Sequence, residues 1–153
     1  MPLQHPQVLM PPPALYLGGL LMGYGLDHAV HPPRIQFPGQ PWLALVLLVL
    51  GTLLVVTAVW QLRRAHTTLM PHRAASKLLT KGAFALSRNP IYLGFACIYL
   101  AMVLTQASIG MLVMLAPVLW VIHTHVIAAE EAFHAQQFGS QWQDYCSRVR
   151  RWL

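Results

Sequence analysis

Residues 81–94 read K-G-A-F-A-L-S-R-N-P-I-Y-L-G: a basic, polar loop runs straight into an apolar segment, and that junction decides the fold. Its residues belong where water meets lipid. Asn89 followed by Pro90 predicts a helix start, because Asn caps free N–H groups and Pro at the first helical position forfeits no hydrogen bond. The first N–H groups of such a helix, and the positive end of its dipole, favour an anion. Arg88 precedes the cap and carries a planar fork suited to a carboxylate. Gly82 and Gly94 permit close approach of a backbone or a ligand. The plainer reading has Arg88 reaching phospholipid phosphates and Gly94 easing helix packing.

Working outward, composition sets the class. A chain of 153 residues with 56% hydrophobic and 9% charged residues is expected to be one domain, 1–153, folded in lipid rather than around a soluble core. No signal peptide is expected, since the first ten residues hold no Lys or Arg and are broken by Pro2 and Pro6. Cys97 lies in an apolar run and Cys146 in the polar tail; their spacing fits neither a disulfide framework nor a zinc site, so both are expected to pack.

The pattern predicts an all-α membrane protein of about four transmembrane helices with a C-terminal interfacial helix. A span needs roughly 20 mostly apolar residues. Residues 13–30 make the first and weakest candidate, and its Gly19-x-x-x-Gly23 would admit a closely packed helix of this chain or of a second copy. It runs into Asp27, His28, His31, Pro32 and Pro33, a loop composition. Residues 42–60 are the clearest span, free of charge and bracketed by Trp42 and Trp60. The polar stretch 61–88 is expected to hold a short surface helix over 74–79, with Leu78 and Leu79 dipping into lipid. Residues 90–104 and 109–129 complete the set, and their short link makes them an antiparallel hairpin. Pro117 is expected to bend the fourth span. Ser140-x-x-Gln143 reads as a capping box for a tail helix whose Trp142, Tyr145, Val149 and Trp152 form an apolar stripe at the membrane surface.

Charge orients the chain. Arg63, Arg64, Arg73, Lys77, Lys81 and Arg88 lie between spans two and three and Arg148, Arg150 and Arg151 in the tail, leaving Arg34 alone on the other face. That asymmetry places the basic face and the termini in the cytoplasm of a multi-pass protein of a bacterial inner membrane or equivalent. The basic balance suits anionic lipid; no groove-reading or base-stacking feature points to nucleic acid.

The hairpin brings Arg88 and Asn89 back toward Glu130 and Glu131. The fourth span reaches the glutamates about five residues later than the third needs, roughly 7 Å of helix, an offset that a bend at Pro117 reduces. Adjacent helical residues point about 100° apart, so the two glutamates are expected to divide their roles. Their plainer role is to neutralise Arg88, Lys81 or Arg73, but ionisable groups at membrane depth carry a functional presumption. Such a set is compatible with S-adenosylmethionine: Arg88 and the helix start for its carboxylate, a glutamate for its ammonium or ribose diol, and Tyr92 or Phe84 for adenine or sulfonium.

These residues carry a family resemblance. Thr67-Thr68-Leu69-x-Pro71, Leu79-x-x-x-Gly82-Ala83-Phe84 and Arg88-Asn89-Pro90-x-Tyr92-x-Gly94, followed by Glu130-Glu131-x-Phe133, Phe138-Gly139-x-x-Trp142-x-x-Tyr145 and Val149-x-Arg151, resemble the integral-membrane phospholipid and isoprenylcysteine carboxyl methyltransferase superfamily over about residues 67–153. The resemblance implies an S-adenosylmethionine-dependent methyltransferase with a lipophilic acceptor. It implies catalytic roles for Arg88, Glu130 and Glu131, and cofactor contacts from Gly82, Phe84, Arg88, Asn89, Pro90, Tyr92, Gly94, Glu130 and Glu131. Ala83-Phe84 stands where the family often has Pro-Tyr, and Asn89 where prenylcysteine enzymes often carry His.

The implied reaction is in-line displacement, in which positioning supplies effective molarities on the order of 10⁵–10⁸ M. A carboxylate acceptor needs no base, whereas an amine or thiol needs one, with His123, His125 or a glutamate as candidates. No metal is expected, because His123-x-His125 and Glu131-x-x-His134 lack a complete ligand set. Two other readings stay open: a non-catalytic scaffold or transporter subunit, in which the glutamates only balance the basic loop, and a nicotinamide-dependent reductase, for which this chain is short and lacks a Gly-rich dinucleotide fingerprint.

Overall fold

The computed structural model describes residues 10–65 and 78–153. Seven α-helices and one π-helical turn account for the regular structure among them: α1 Pro12–Val30, α2 Gln40–Arg64, α3 Ala83–Leu86, α4 Pro90–Gln106, α5 Ile109–Val121, the π turn Ile122–Ile127, α6 Ala128–Phe138 and α7 Ser140–Arg148. The expected all-helical architecture is observed, and no strand occurs among the described residues. Two helical runs, Gln40–Arg64 and Ile109–Phe138, are each long and apolar enough to cross a membrane, while Pro90–Gln106 is apolar but shorter. Leu45, Val49, Leu53 and Val56 on α2 are all exposed, the face that a helix presents to lipid rather than to water.

Helices in lipid gain little from hiding apolar surface and associate through close packing instead. Two glycine contacts provide it here. A Cβ at Gly51 of α2 would lie 2.7 Å from the Gly94 carbonyl oxygen of α4, and one at Gly94 would lie 2.8 Å from the Gly51 oxygen. On the other side, Gly23 of α1 abuts the Gly110–Met111 backbone of α5, and a Cβ at Gly19 would meet Val118 at 2.5 Å. Gly19 and Gly23 are thus buried within the chain against α5.

Between the two pairs lies a core that includes Tyr16, Tyr92, Tyr99, Val103, Leu115, Ile122 and Val126. Its phenols are satisfied by backbone: Tyr16 donates to the Tyr92 carbonyl at 2.9 Å and Tyr99 to the Met111 carbonyl at 2.9 Å. The α4–α5 hairpin turns through Ala107 in a left-handed conformation (φ 53°), and Ser108 caps α5 by accepting from the Met111 N–H at 2.9 Å. Asp27 at the end of α1 also receives the Ser108 hydroxyl and, at 2.7 Å, the Gly110 N–H.

Several local expectations need correcting. Asn89 occupies the cap position of α4 without capping it, because its amide donates to the Arg151 carbonyl at 3.0 Å. Gly139, not Ser140, precedes the first residue of α7, and Ser140 supplies no side-chain cap. The apolar stripe of the tail is buried against the chain: Trp142, Tyr145 and Val149 pack with Leu78, Phe138 and Cys146. Leu78 and Leu79 are not helical; residues 74–77, the Thr67–Pro71 motif, Arg73 and Lys77 lie outside the described residues. Pro117 sits inside α5, and the helix widens one turn later into the π turn, where Thr124 donates to the Trp120 carbonyl at 2.7 Å.

The glycine contacts make a specific stability pattern. Gly51→Leu is expected to destabilise the fold by about 1–3 kcal/mol through overpacking. Gly25→Ala, where nothing lies within 4 Å, should leave the melting temperature in detergent unchanged or slightly raised. Thermal unfolding of the two variants checks this.

Candidate functional site

Apart from Arg34, the described Lys and Arg residues gather at one end of the bundle, where α4 begins, α6 runs on from the π turn and the C-terminal residues fold back. Backbone bonds fix that return. The Arg88 N–H donates to the Arg150 carbonyl at 3.0 Å, and the Arg151 carbonyl accepts both the Ser87 hydroxyl at 3.1 Å and the Asn89 amide at 3.0 Å. Ser87 is fully buried and also accepts from the Asn89 N–H at 3.0 Å. Three consecutive residues before α4 are therefore spent on holding the tail.

The side chains then converge on Glu131. Its Oε1 faces Arg88 Nη2 at 3.3 Å, and its Oε2 accepts from Arg151 through Nε at 3.0 Å and through Nη2. The Arg88 and Glu131 side chains are only 15% and 13% exposed, so each charge needs the other. Two atoms stay unsatisfied: Arg88 Nε and Glu131 Oε1 are buried without a hydrogen-bond partner. Arg88 also lies 5.7 Å from the centre of the Trp142 ring and touches the Cys146 sulfur through Nη1. Cys146, expected only to pack, thus also meets a cation.

Glu130 takes a different partner. Its Oε1 accepts the Tyr92 hydroxyl at 2.7 Å, and Tyr92 is itself held by Tyr16 through its carbonyl. The two adjacent glutamates thus address α4 at two heights, Glu131 before its first turn and Glu130 within it. Phe84 contributes its carbonyl to the Tyr145 hydroxyl at 2.6 Å. Burial pushes the Tyr145 phenol up, against the pull of the Arg88 guanidinium, so it stays a hydrogen-bond donor.

Of the residues singled out from the sequence, Arg88, Asn89, Pro90, Tyr92, Glu130 and Glu131 are brought together, with Phe84 tied in through Tyr145. The glycines serve elsewhere. Gly94 faces Gly51 and Val55 of α2, and Gly82, at φ 63°, lies against the Gln61 side chain. His125 stands on the exposed face beside Thr124 and Trp120. His123 is inside the cluster: the Trp152 indole nitrogen lies 3.1 Å from its Nδ1 and Arg151 Nη1 lies 3.0 Å from its Nε2; both neighbours are donors, and a neutral ring can accept from one of them. Arg151, Trp152, Ser87 and Tyr16 carry no role in the sequence reading. Arg151 had a signal there as the last residue of a family motif and Trp152 as part of the tail's apolar stripe; Tyr16 lies in the weakest span with nothing nearby to mark it.

The sequence model of the phospholipid methyltransferase family matches residues 40–141, which includes both glutamates and the whole of α4. Protein-S-isoprenylcysteine O-methyltransferase B of Arabidopsis thaliana is 31% identical over 123 residues, covering 75% of this chain. The match takes in 62% of the plant protein's length. No solved structure matches.

The ionic cluster should be a structural element as well as a chemical one. Glu131→Gln strands two guanidinium groups at the end of the bundle and is expected to cost about 3 kcal/mol. The exposed, unpaired Arg150→Gln should cost little. Differential scanning of the two purified variants in the same detergent measures both.

Proposed function

Because this chain belongs to the phospholipid methyltransferase family, we propose that it is a membrane methyltransferase that takes its methyl group from S-adenosylmethionine and delivers it to a lipophilic acceptor. The observation that carries this reading is that Arg88 Nε and Glu131 Oε1 are both buried without a hydrogen-bond partner, although the two side chains form an ion pair. A donor and an acceptor left open in one buried cluster fit the carboxylate and ammonium of an amino-acid moiety.

In this assignment Arg88 holds the carboxylate and Glu131 the ammonium, while Tyr92 and Phe84 flank the remainder. When bound, S-adenosylmethionine supplies an electrophilic sulfonium methyl for in-line attack by the acceptor heteroatom. The residues around it act by placement. Arg151 grips Glu131 through Oε2 and so leaves Oε1 directed at Arg88. Tyr92 fixes Glu130. Trp152 and Arg151 face the two ring nitrogens of His123, so the imidazole is engaged by the tail rather than free to act as a base.

With His123 and Glu130 both engaged, the cluster favours an acceptor that needs no deprotonation, a carboxylate at the end of an apolar chain. The O-methyltransferase name of the plant relative supports the same choice over an amine lipid. The exposed apolar sides of α2 suit an acceptor that arrives laterally from the bilayer.

Calorimetry in detergent tests the proposal with S-adenosylhomocysteine as titrant. The native chain is expected to bind, and Arg88→Ala and Glu131→Gln each to weaken binding more than about tenfold, the worth of one charged hydrogen bond. Absence of heat at saturating titrant, or full binding in both variants, leaves a non-catalytic membrane protein whose glutamates merely balance its basic end. With labelled donor, transfer to a farnesylcysteine but not to an amine lipid supports the carboxylate acceptor, and the reverse overturns that part alone.

A further inference from the structure

A second polar site lies at the opposite end of the bundle, where the residue 31–39 loop passes over the α4–α5 turn. A cleft of about 520 Å³ opens there, lined among others by Tyr24, His28, His31, Arg34 and Gln106. Its walls are tied down. The Ile35 N–H donates to the Ala107 carbonyl at 3.0 Å, the Gln40 amide to the Leu104 carbonyl at 2.6 Å, and the His31 N–H to the Asp27 carbonyl at 2.9 Å.

These bonds also decide the electrostatics of the cleft. Helix ends present carbonyls that would attract a cation, but those of Asp27, Leu104 and Ala107 already accept N–H groups of the chain. The one carboxylate in the lining, Asp27, has both oxygens turned to the first turn of α5, on the Ser108 hydroxyl and the Gly110 N–H. The Arg34 guanidinium, by contrast, has no hydrogen bond or ion pair among the described residues. The His31 ring likewise has no partner, and His28 touches only the Tyr24 ring. Arg34 is also the one Lys or Arg in the lining, and no ion pair joins it to Asp27 among the described residues.

A cleft with tied-down walls, open donors, one unpaired cation and its acid hydrogen-bonded to the first turn of α5 is complementary to an oxyanion. We propose that this cleft binds a phosphate group, held by Arg34 with His31 and His28 as further donors. The cleft does not depend on the methyltransferase reading and shares no residue with the Arg88–Glu131 cluster. Two sources can present that chemistry: the headgroup of an anionic lipid in the adjoining leaflet, and a free phosphate from solution.

Thermal stability in a neutral detergent tests this with three probes at matched ionic strength: short-chain phosphatidic acid, the corresponding diacylglycerol and sodium phosphate. Phosphatidic acid is expected to raise the melting temperature saturably, by a few degrees at saturation, and diacylglycerol not to. Arg34→Gln should weaken the apparent affinity about tenfold, and adding His31→Gln should abolish the shift. Arg148→Gln, an equal loss of charge at the other end of the chain, should leave it intact. A shift with sodium phosphate alone assigns the site to the free anion, and a shift that needs the acyl chains assigns it to lipid. The proposal falls if phosphatidic acid does no more than diacylglycerol, or if Arg148→Gln weakens the effect as much as Arg34→Gln. All three positions are exposed, so the variants should fold, and their melting temperatures without ligand verify it.

Discussion

A carboxylate removed from water needs charge and hydrogen bonds in return, and Glu131 imposes that requirement on a chain with few acidic groups. Its partners come from opposite directions in sequence, Arg88 ahead of α4 and Arg151 in the C-terminal residues. Arg151 cannot reach Glu131 unless the tail lies across the start of α4, and the backbone arranges that. The Arg151 carbonyl takes donors from Ser87 and Asn89 while its side chain grips the glutamate. One residue thus fixes main chain and charge together, so loosening the tail would release the acid as well.

The helices that carry these groups are brought close by a different device. With no hydrophobic drive between helices in lipid, contact depends on how near two backbones can come and on whether buried polar groups are satisfied. Gly51 with Gly94, and Gly23 with Gly110, give the near approaches. The wider space between the two pairs is filled by tyrosines whose hydroxyls end on carbonyls of neighbouring helices. Tyr92 belongs to both systems, since its carbonyl is a core acceptor and its hydroxyl reaches Glu130. The site's geometry is therefore anchored in α1, although α1 contributes no side chain to the ionic cluster.

Much of this was legible in the sequence because it rests on short-range rules. Hydropathy located α1, α2 and α4 to within a few residues but ended the run from Ile109 nine residues short of Phe138; the Asn-Pro step located the start of α4, and the short link between the third and fourth spans forced Arg88 toward Glu131. What escaped were choices between competing partners. Asn89 has the right side chain for a cap, yet a carbonyl arriving from residue 151 claims it. Gly94 has the freedom to admit a ligand, yet Gly51 uses that freedom for α2. The stripe of Trp142, Tyr145 and Val149 has the periodicity of a membrane-surface helix, yet Leu78 and Phe138 cover it. In each case local chemistry was read correctly and the long-range partner could not be named.

The π turn sets which way the acidic pair faces. Consecutive residues on a regular helix point about 100° apart, so both members of the pair can reach α4 only when its direction falls between them. A wide turn at Ile122–Ile127 accommodates one more residue than an α turn and rotates everything after it relative to α5. Residues 130 and 131 then straddle the direction of α4, one meeting Tyr92 and the other Arg88. The same irregularity carries His123 into reach of Arg151 and Trp152. A bend from Pro117 alone would tilt α6 without changing which side chains face inward; the facing of the acidic pair requires a change of register, and the π turn supplies it.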